Sequence, residues 1–293
     1  MKYILILILS LCTFSIFAQL PATNIYVFDM EVSAIRDIYR FTKPKLINGN
    51  NLNGYNNQPQ FIRGQLYITA QPDGEQTDIY RFNIDRRMQT QVTATAESEY
   101  SPTPMPGGQH ISVVRVSADG NENQQLWRIP ANGGDAELML DSIAQIGYHE
   151  WINESMIALF IVGEPHTLFI INTLSGDVRQ VRSDIGRCLR MNPDGNLTFL
   201  HKSELEGWYI KSVNPTNFAI RPIVKALPEC EDFAWAQDGT IYMAKDSKLY
   251  RFKASLDNDW REVADFSAYG IKNIKRIAVS NNRIALVDVE EGY

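Results

Sequence analysis

One pattern of turn, apolar run, short polar turn and second apolar run returns along this chain at a nearly constant step. It is plainest at residues 239–252, where Gly239 opens an alternating strand, Asp246 and Ser247 turn the chain, and a second strand ends at Phe252. Two short strands joined this tightly form a hairpin. Aligned on the turn before the first of these strands, the repeats fall at Gly64, Gly108, Glu154, Gly195, Gly239 and Asn282. The steps between them are 44, 46, 41, 44 and 43 residues. The strands that follow are residues 66–68, 111–114, 156–161, 197–200, 241–243 and 284–287. A third strand comes next in five of the six repeats, at 79–82, 126–129, 168–171, 208–210 and 249–252. A weaker fourth is read at 91–93, 137–140 and 178–181. Four short strands per unit at this period predict a β-propeller of six blades, because each unit buries its apolar faces only against its neighbours. A β-sandwich would not hold so regular a long period. The fold class is therefore all-β, with no amphipathic helix of useful length.

The sixth repeat stops before its third and fourth strands. The N-terminal part supplies them: residues 24–29 read as a third strand and 45–48 as a fourth. Residues 38–41 also resemble a third strand, so the register there stays open. A blade shared by the N- and C-terminal strands closes the ring and leaves no free sheet edge.

Residues 1–18 read as a secretory signal, with Lys2 ahead of an apolar run and Ala18 before the cut. The run is short for a membrane anchor and lacks a basic flank. Leu11 stands where a lipoprotein signal before Cys12 would need a small residue. The domain expectation is thus a signal peptide at 1–18 and one propeller over 19–293, with no membrane span in the mature chain. Removing 1–18 takes one Lys and no acid, leaving 27 basic against 34 acidic residues and a formal charge of −7. Basic residues are scattered, which excludes a nucleic-acid partner. Cys188 and Cys230 remain, 42 residues apart. In an oxidising compartment they either bridge adjacent blades or stay as two independent thiols.

Several stretches resemble a known family. Pro102, residues 106–113, Asp119-Gly120, residues 126–129 and Gly133-Gly134 resemble the WD-like repeat of TolB-type propellers. Residues 55–61 with Asp78-Ile79-Tyr80 resemble it too. The likeness spans nearly all of the mature chain and is nearer to stand-alone secreted propellers than to TolB itself, which carries an additional N-terminal domain. It implies a periplasmic or secreted setting and, weakly, a binding role.

Catalytic signatures are missing from the sequence: there is no nucleotide loop, HExxH or GxSxG. His110, His149, His166 and His201 have no metal-ligand spacing. Asp119, Asn121 and Asn123 match the start of a calcium loop, but Gln124 and Pro130 stand where that loop needs Gly and Glu. No cofactor and no metal are implied. Chemistry is instead sought in the loops leading into each first strand, which propellers gather around one mouth of the central channel. These loops carry Glu99 and Tyr100, Tyr148 and His149, Arg187, Glu231 and Asp232, and Lys275 and Arg276. Asn57, Gln58 and Ser101 lie at the same level, and Arg115 on a second strand is expected to point inward beside them. The candidate ligand site is therefore Glu99, Tyr100, Arg115, His149, Arg187, Glu231, Asp232 and Arg276. One reading is a pocket for an anionic ligand, with arginine forks and His149 as proton carrier. The other is a solvated channel whose acids and arginines pair with one another. Trp127, Trp151, Trp208 and Trp235 are read as packing between blades, and Trp260 as peripheral.

The functional expectation is a secreted or periplasmic binding module for a protein, a cell-envelope component or a small anionic ligand. The alternative is a hydrolase or lyase acting on a small anionic substrate at the same mouth.

Overall fold

A computed structural model of the chain describes residues 20–33, 38–52, 54–72, 74, 76–118 and 123–290. The signal peptide read at 1–18 and the turn read at Asp119-Gly120 lie outside them.

The second strands explain the architecture. On one face Leu66, Ile68, Ile111, Val113, Ile157, Leu159, Phe199, Ile241, Met243, Ile284 and Leu286 are almost wholly buried, and on the other so are Tyr67, Val114, Ala158, Phe160, Leu200, Tyr242, Ala285 and Val287. A strand apolar on both faces must be covered on both faces. Here each sheet is sandwiched between two neighbours, giving six antiparallel sheets of four strands arranged as a ring. The apolar core falls into six clusters, one per junction between blades. Ile79 and Ile111 meet between blades 1 and 2, for example, and Phe233 and Leu200 between blades 4 and 5. Trp127, Trp151, Trp208 and Trp235 pack at these junctions, and the Trp260 indole donates to the Lys225 carbonyl at the edge. The turns between first and second strands need a left-handed residue, which Gly195 and Gly239 supply at φ +76° and +82°.

Inner strands run Tyr55–Ile62, Ser98–Pro104, Ile146–Trp151, Ile185–Met191, Phe233–Trp235 and Ile274–Ser280 for blades 1 to 6. Blade 6 is completed by Thr23–Ser33, which pairs in antiparallel register with Arg283–Val289, from Thr23 opposite Val289 to Asp29 opposite Arg283. Its outer strand is Ile38–Leu46, not 45–48. Residues 38–41 thus belong to the outer strand, with Phe41 paired to Met30. The ladder ends before Asn48 because its side chain replaces ladder bonds: Oδ1 accepts the Ile25 N–H at 2.8 Å, and Nδ2 donates to Asn24 Oδ1 at 2.9 Å. In blade 1 the outer strand is Met88–Gln91, and Thr93 lies beyond it, its hydroxyl accepting the Ile79 N–H. Among the described residues no helix is long and apolar enough to cross a membrane.

Candidate functional site

The inner strands carry a feature that their residue types do not announce. In five blades the pairing of inner and second strands slips near the mouth, at Asn57/Gln60, Tyr100/Thr103, Ile146/Tyr148, Ile185/Leu189 and Ile274/Arg276. A bulge breaks strict alternation and re-aims the side chains beside it. Gln58 and Ser101 take left-handed backbone at these slips, with φ +53° and +56°. In blade 5 the inner strand is only Phe233–Trp235, and Asp232 lies just ahead of it.

Four blades meet at Asp232. Its Oδ1 accepts from Arg187 Nε at 3.1 Å, and Arg276 Nη1 lies 3.7 Å from its Oδ2. Arg276 Nη2 donates to the Tyr148 hydroxyl at 2.7 Å, and Arg187 Nη2 to the Lys275 carbonyl at 3.1 Å. Burial alone would push the Asp232 carboxyl up, but Arg276, Arg187 and Arg190 outweigh it and hold it below the usual carboxylate range. Burial lowers and Tyr148 and Asp232 raise the Arg276 guanidinium, with a net upward shift. Gln58 of blade 1 closes the opposite wall, its Oε1 accepting the Ser101 N–H at 2.7 Å and the Thr69 hydroxyl at 2.8 Å. Together these side chains enclose a throat of about 40 Å³ that opens into a mouth of about 180 Å³ lined by Lys245, Lys275 and Cys230.

The remaining candidates fall in different places. Glu231 sits at the rim, where Oε1 pairs with Lys202 Nζ at 2.7 Å and Oε2 accepts the Arg187 N–H at 3.2 Å. His149 lines the throat, but its Nε2 lies 2.6 Å from the Ser112 hydroxyl in the junction between blades 2 and 3. Burial pushes its basicity down, and its Nε2 is taken up by Ser112 inside the junction, both of which speak against the proton-carrier expectation. Glu99, Tyr100 and Arg115 do not line the throat. Arg115 is opposite Glu99 in the ladder, reaches its Oε1 at 3.1 Å and stacks over Trp127 at 4.2 Å, so it braces the junction between blades 1 and 2 rather than pointing into the channel. Tyr100 packs against the cluster that holds Val114, Leu126 and Ile146 on the other side of the same blade.

Two residues deeper in the channel escaped sequence reasoning. Glu150 and Arg190 face each other across blades 3 and 4 at 4.0 Å. Burial pushes Glu150 up to about 7, against the opposing pull of Arg190 and the Met191 N–H. They stand further along the inner strands than the positions singled out from the sequence. The signal that would have found them is period-two alternation from Tyr148 to Glu150. The cysteines are free thiols in the structure, Cys188 buried and Cys230 partly exposed. Among the described residues, no group of His, Cys, Asp and Glu could hold a metal ion.

No protein-family model matches the sequence, and no curated protein matches it. Solved structures match in fold. A structure described as a TolB from Agrobacterium tumefaciens superposes with a TM-score of 0.67 at 12% identity, over 93% of this chain and 99% of that one. TolB from Acinetobacter baumannii gives 0.58 at 9% identity, over 92% of this chain and 65% of that one. An oligogalacturonate lyase from Vibrio parahaemolyticus gives 0.52 at 12% identity, over 93% and 99%. At such identities the likeness is one of fold: the chain is a six-bladed β-propeller like those in the TolB structures.

Proposed function

We propose that this chain is an exported propeller that binds an acidic segment of a protein or cell-envelope component at its channel mouth. The observation that carries the reading is the convergence of Arg187 and Arg276 on one buried carboxylate. A single aspartate cannot neutralise two guanidinium groups, and Arg190 below them faces Glu150 rather than a free anion. Lys245 and Lys275, on the adjoining mouth, make no ion pair among the described residues. Glu229 and Asp246 share that rim, so selectivity for an anion arises at the throat, where the arginines sit. The throat, about 40 Å³, has room for a carboxylate tip but not for a whole metabolite, since ligand pockets run to about 300–1,000 Å³. Export is supported by the apolar run after Lys2 at residues 1–18.

The enzymatic alternative has one observation in its favour. Glu150, pushed up to about 7, could exchange a proton near neutrality beside Arg190. One solved structure of the same fold is an oligogalacturonate lyase, which makes a uronate polymer the first substrate to try.

Fluorescence anisotropy with labelled acidic hexapeptides and their amidated neutral counterparts tests the binding reading. The acidic forms are expected to bind, and Arg187→Gln to weaken them by about tenfold or more, the usual loss for a charged hydrogen bond. Equal binding of acidic and amidated peptides would sink it. Turnover of an oligogalacturonate that Glu150→Gln abolishes would instead favour the alternative.

A further inference from the structure

A groove of about 520 Å³ opens between blades 4 and 5, on the face away from the channel mouth. It lies there because its walls are the turns that follow the inner strands, with Asn192 just past Ile185–Met191 and Trp235 at the end of Phe233–Trp235. Nothing in the channel-mouth reading uses it.

The floor is apolar: Trp235, Ile223 and Ile241 line it. The half-buried indole is held in place, since its Nε1 donates to the Thr198 hydroxyl at 2.9 Å and that hydroxyl donates to the Arg190 carbonyl at 2.7 Å. The walls are rich in amides, and three of the four are half used. Asn192 Oδ1 accepts the Asn196 N–H at 2.8 Å, and Asn214 Oδ1 accepts those of Thr216 and Asn217 at 2.9 and 3.1 Å. Asn217 Oδ1 accepts the Ala219 N–H at 3.0 Å. The three oxygens are committed to the turns. The three Nδ2 groups, two donors apiece, make no hydrogen bond among the described residues. Arg221 on the same wall is exposed and makes no ion pair among them. Asp194 and Ser212 contribute acceptors.

A fixed aromatic floor under a rim of neutral donors, with one spare guanidinium, selects among ligand classes. A nucleic acid or polyphosphate would need several cations, and Arg221 shares the lining with the acidic Asp194. An extended peptide would pair along the free edge of the strand Ile220–Lys225, but Pro222 stands in the middle of that edge and offers no N–H to it. A sugar ring matches on both counts: its C–H face lies on an indole, and its hydroxyl and ring oxygens accept from amide N–H groups. A carboxylate on that sugar would give Arg221 its partner.

We propose that the groove between blades 4 and 5 is a second binding site, for a carboxylate-bearing glycan segment, independent of the channel mouth. Titration calorimetry on the mature chain tests it with three probes: a uronic-acid tetrasaccharide, its carboxyl-reduced neutral counterpart and an acidic tetrapeptide. Both glycans are expected to bind, the uronic form about three- to fivefold tighter, as one exposed charge pair allows. Arg221→Gln removes that preference and leaves the neutral glycan unchanged. Ala254→Trp fills the groove from an exposed position, replaces none of the turn-holding asparagines and abolishes both. Arg187→Gln, at the mouth, leaves both intact. The proposal is overturned if neither glycan binds at about 10 mM, if the two bind equally, if binding survives Ala254→Trp or is lost in Arg187→Gln, or if only the peptide binds.

Discussion

Arg276→Met isolates the electrostatics of the throat. The substitution keeps much of the side-chain volume and removes one of the two cations that face Asp232, together with the bond to the Tyr148 hydroxyl. Leaving a buried charge without its partner costs about 3–5 kcal/mol. Asp232 keeps Arg187 at 3.1 Å, and the lost contact is the longer one at 3.7 Å, so the cost falls short of that range. We expect about 2–3 kcal/mol at pH 7, or a fall of about 5–10 °C in Tm for a chain of this size. The dependence on pH has a definite sign. Asp232 is depressed in the folded protein, so its stabilisation is present above the ordinary carboxylate value and fades as pH falls through the folded value. Without Arg276 the carboxyl shifts upward and is protonated sooner, which relieves the loss. The penalty measured by urea unfolding is therefore smaller at about pH 4.5 than at pH 7. A double-mutant cycle removes the Tyr148 contribution: in an Asp232→Asn background the same substitution costs about 1–2 kcal/mol less. A penalty that is equal at the two pH values, or a cycle that closes additively, would refute the paired-arginine account.

Three further outcomes follow from individual side chains. Glu150 is raised to about 7 from an ordinary 4.5, so its contribution is present below the ordinary value and lost as pH rises through 7; Glu150→Gln should flatten that slope and gain most at pH 8, and unfolding midpoints that keep the wild-type slope would exclude it. Phe28→Ala empties a fully buried site 4.7 Å from Phe266 and 5.2 Å from Tyr269 in the closing strand, so denaturant unfolding should show a loss of about 3–5 kcal/mol, and a loss under about 1 kcal/mol would speak against closure through this strand. Alkylation of the native protein should label Cys230 alone, because Cys188 is buried, its thiol pushed up to about 11 by burial, and its Sγ lies 3.2 Å from the Phe233 carbonyl. Both cysteines should react after unfolding without reductant, and a non-reducing mass that shows a bridge would contradict the two free thiols.

Architecture was legible in the residues because it rests on local order. A period near 44, a left-handed glycine such as Gly239 and an apolar second strand such as 241–243 specify a blade, and counting blades gives the ring. Even the sharing of blade 6 between the two termini follows from counting what the last repeat lacks. The outer strand there was less legible, because Ile38–Leu46 alternates weakly and its limit depends on the side-chain bonds of Asn48.

The site was legible only as a ring of positions. Sequence placed Arg187, Asp232 and Arg276 at one level of the fold, and their convergence needed blades 4, 5 and 6 to be brought side by side. It equally placed His149 and Arg115 there, yet one is sealed against Ser112 and the other stacked on Trp127. The physical reason is the slip in register at five of the six inner strands, by one residue in four of them. A one-residue bulge reverses which side chains face the channel, and no residue type in these strands reports it. Thus the repeat determines by itself how many blades there are and where their mouths lie. Only packing between blades decides which polar groups meet, which are neutralised by burial, and where amide donors such as Asn192, Asn214 and Asn217 are left without a partner among the described residues.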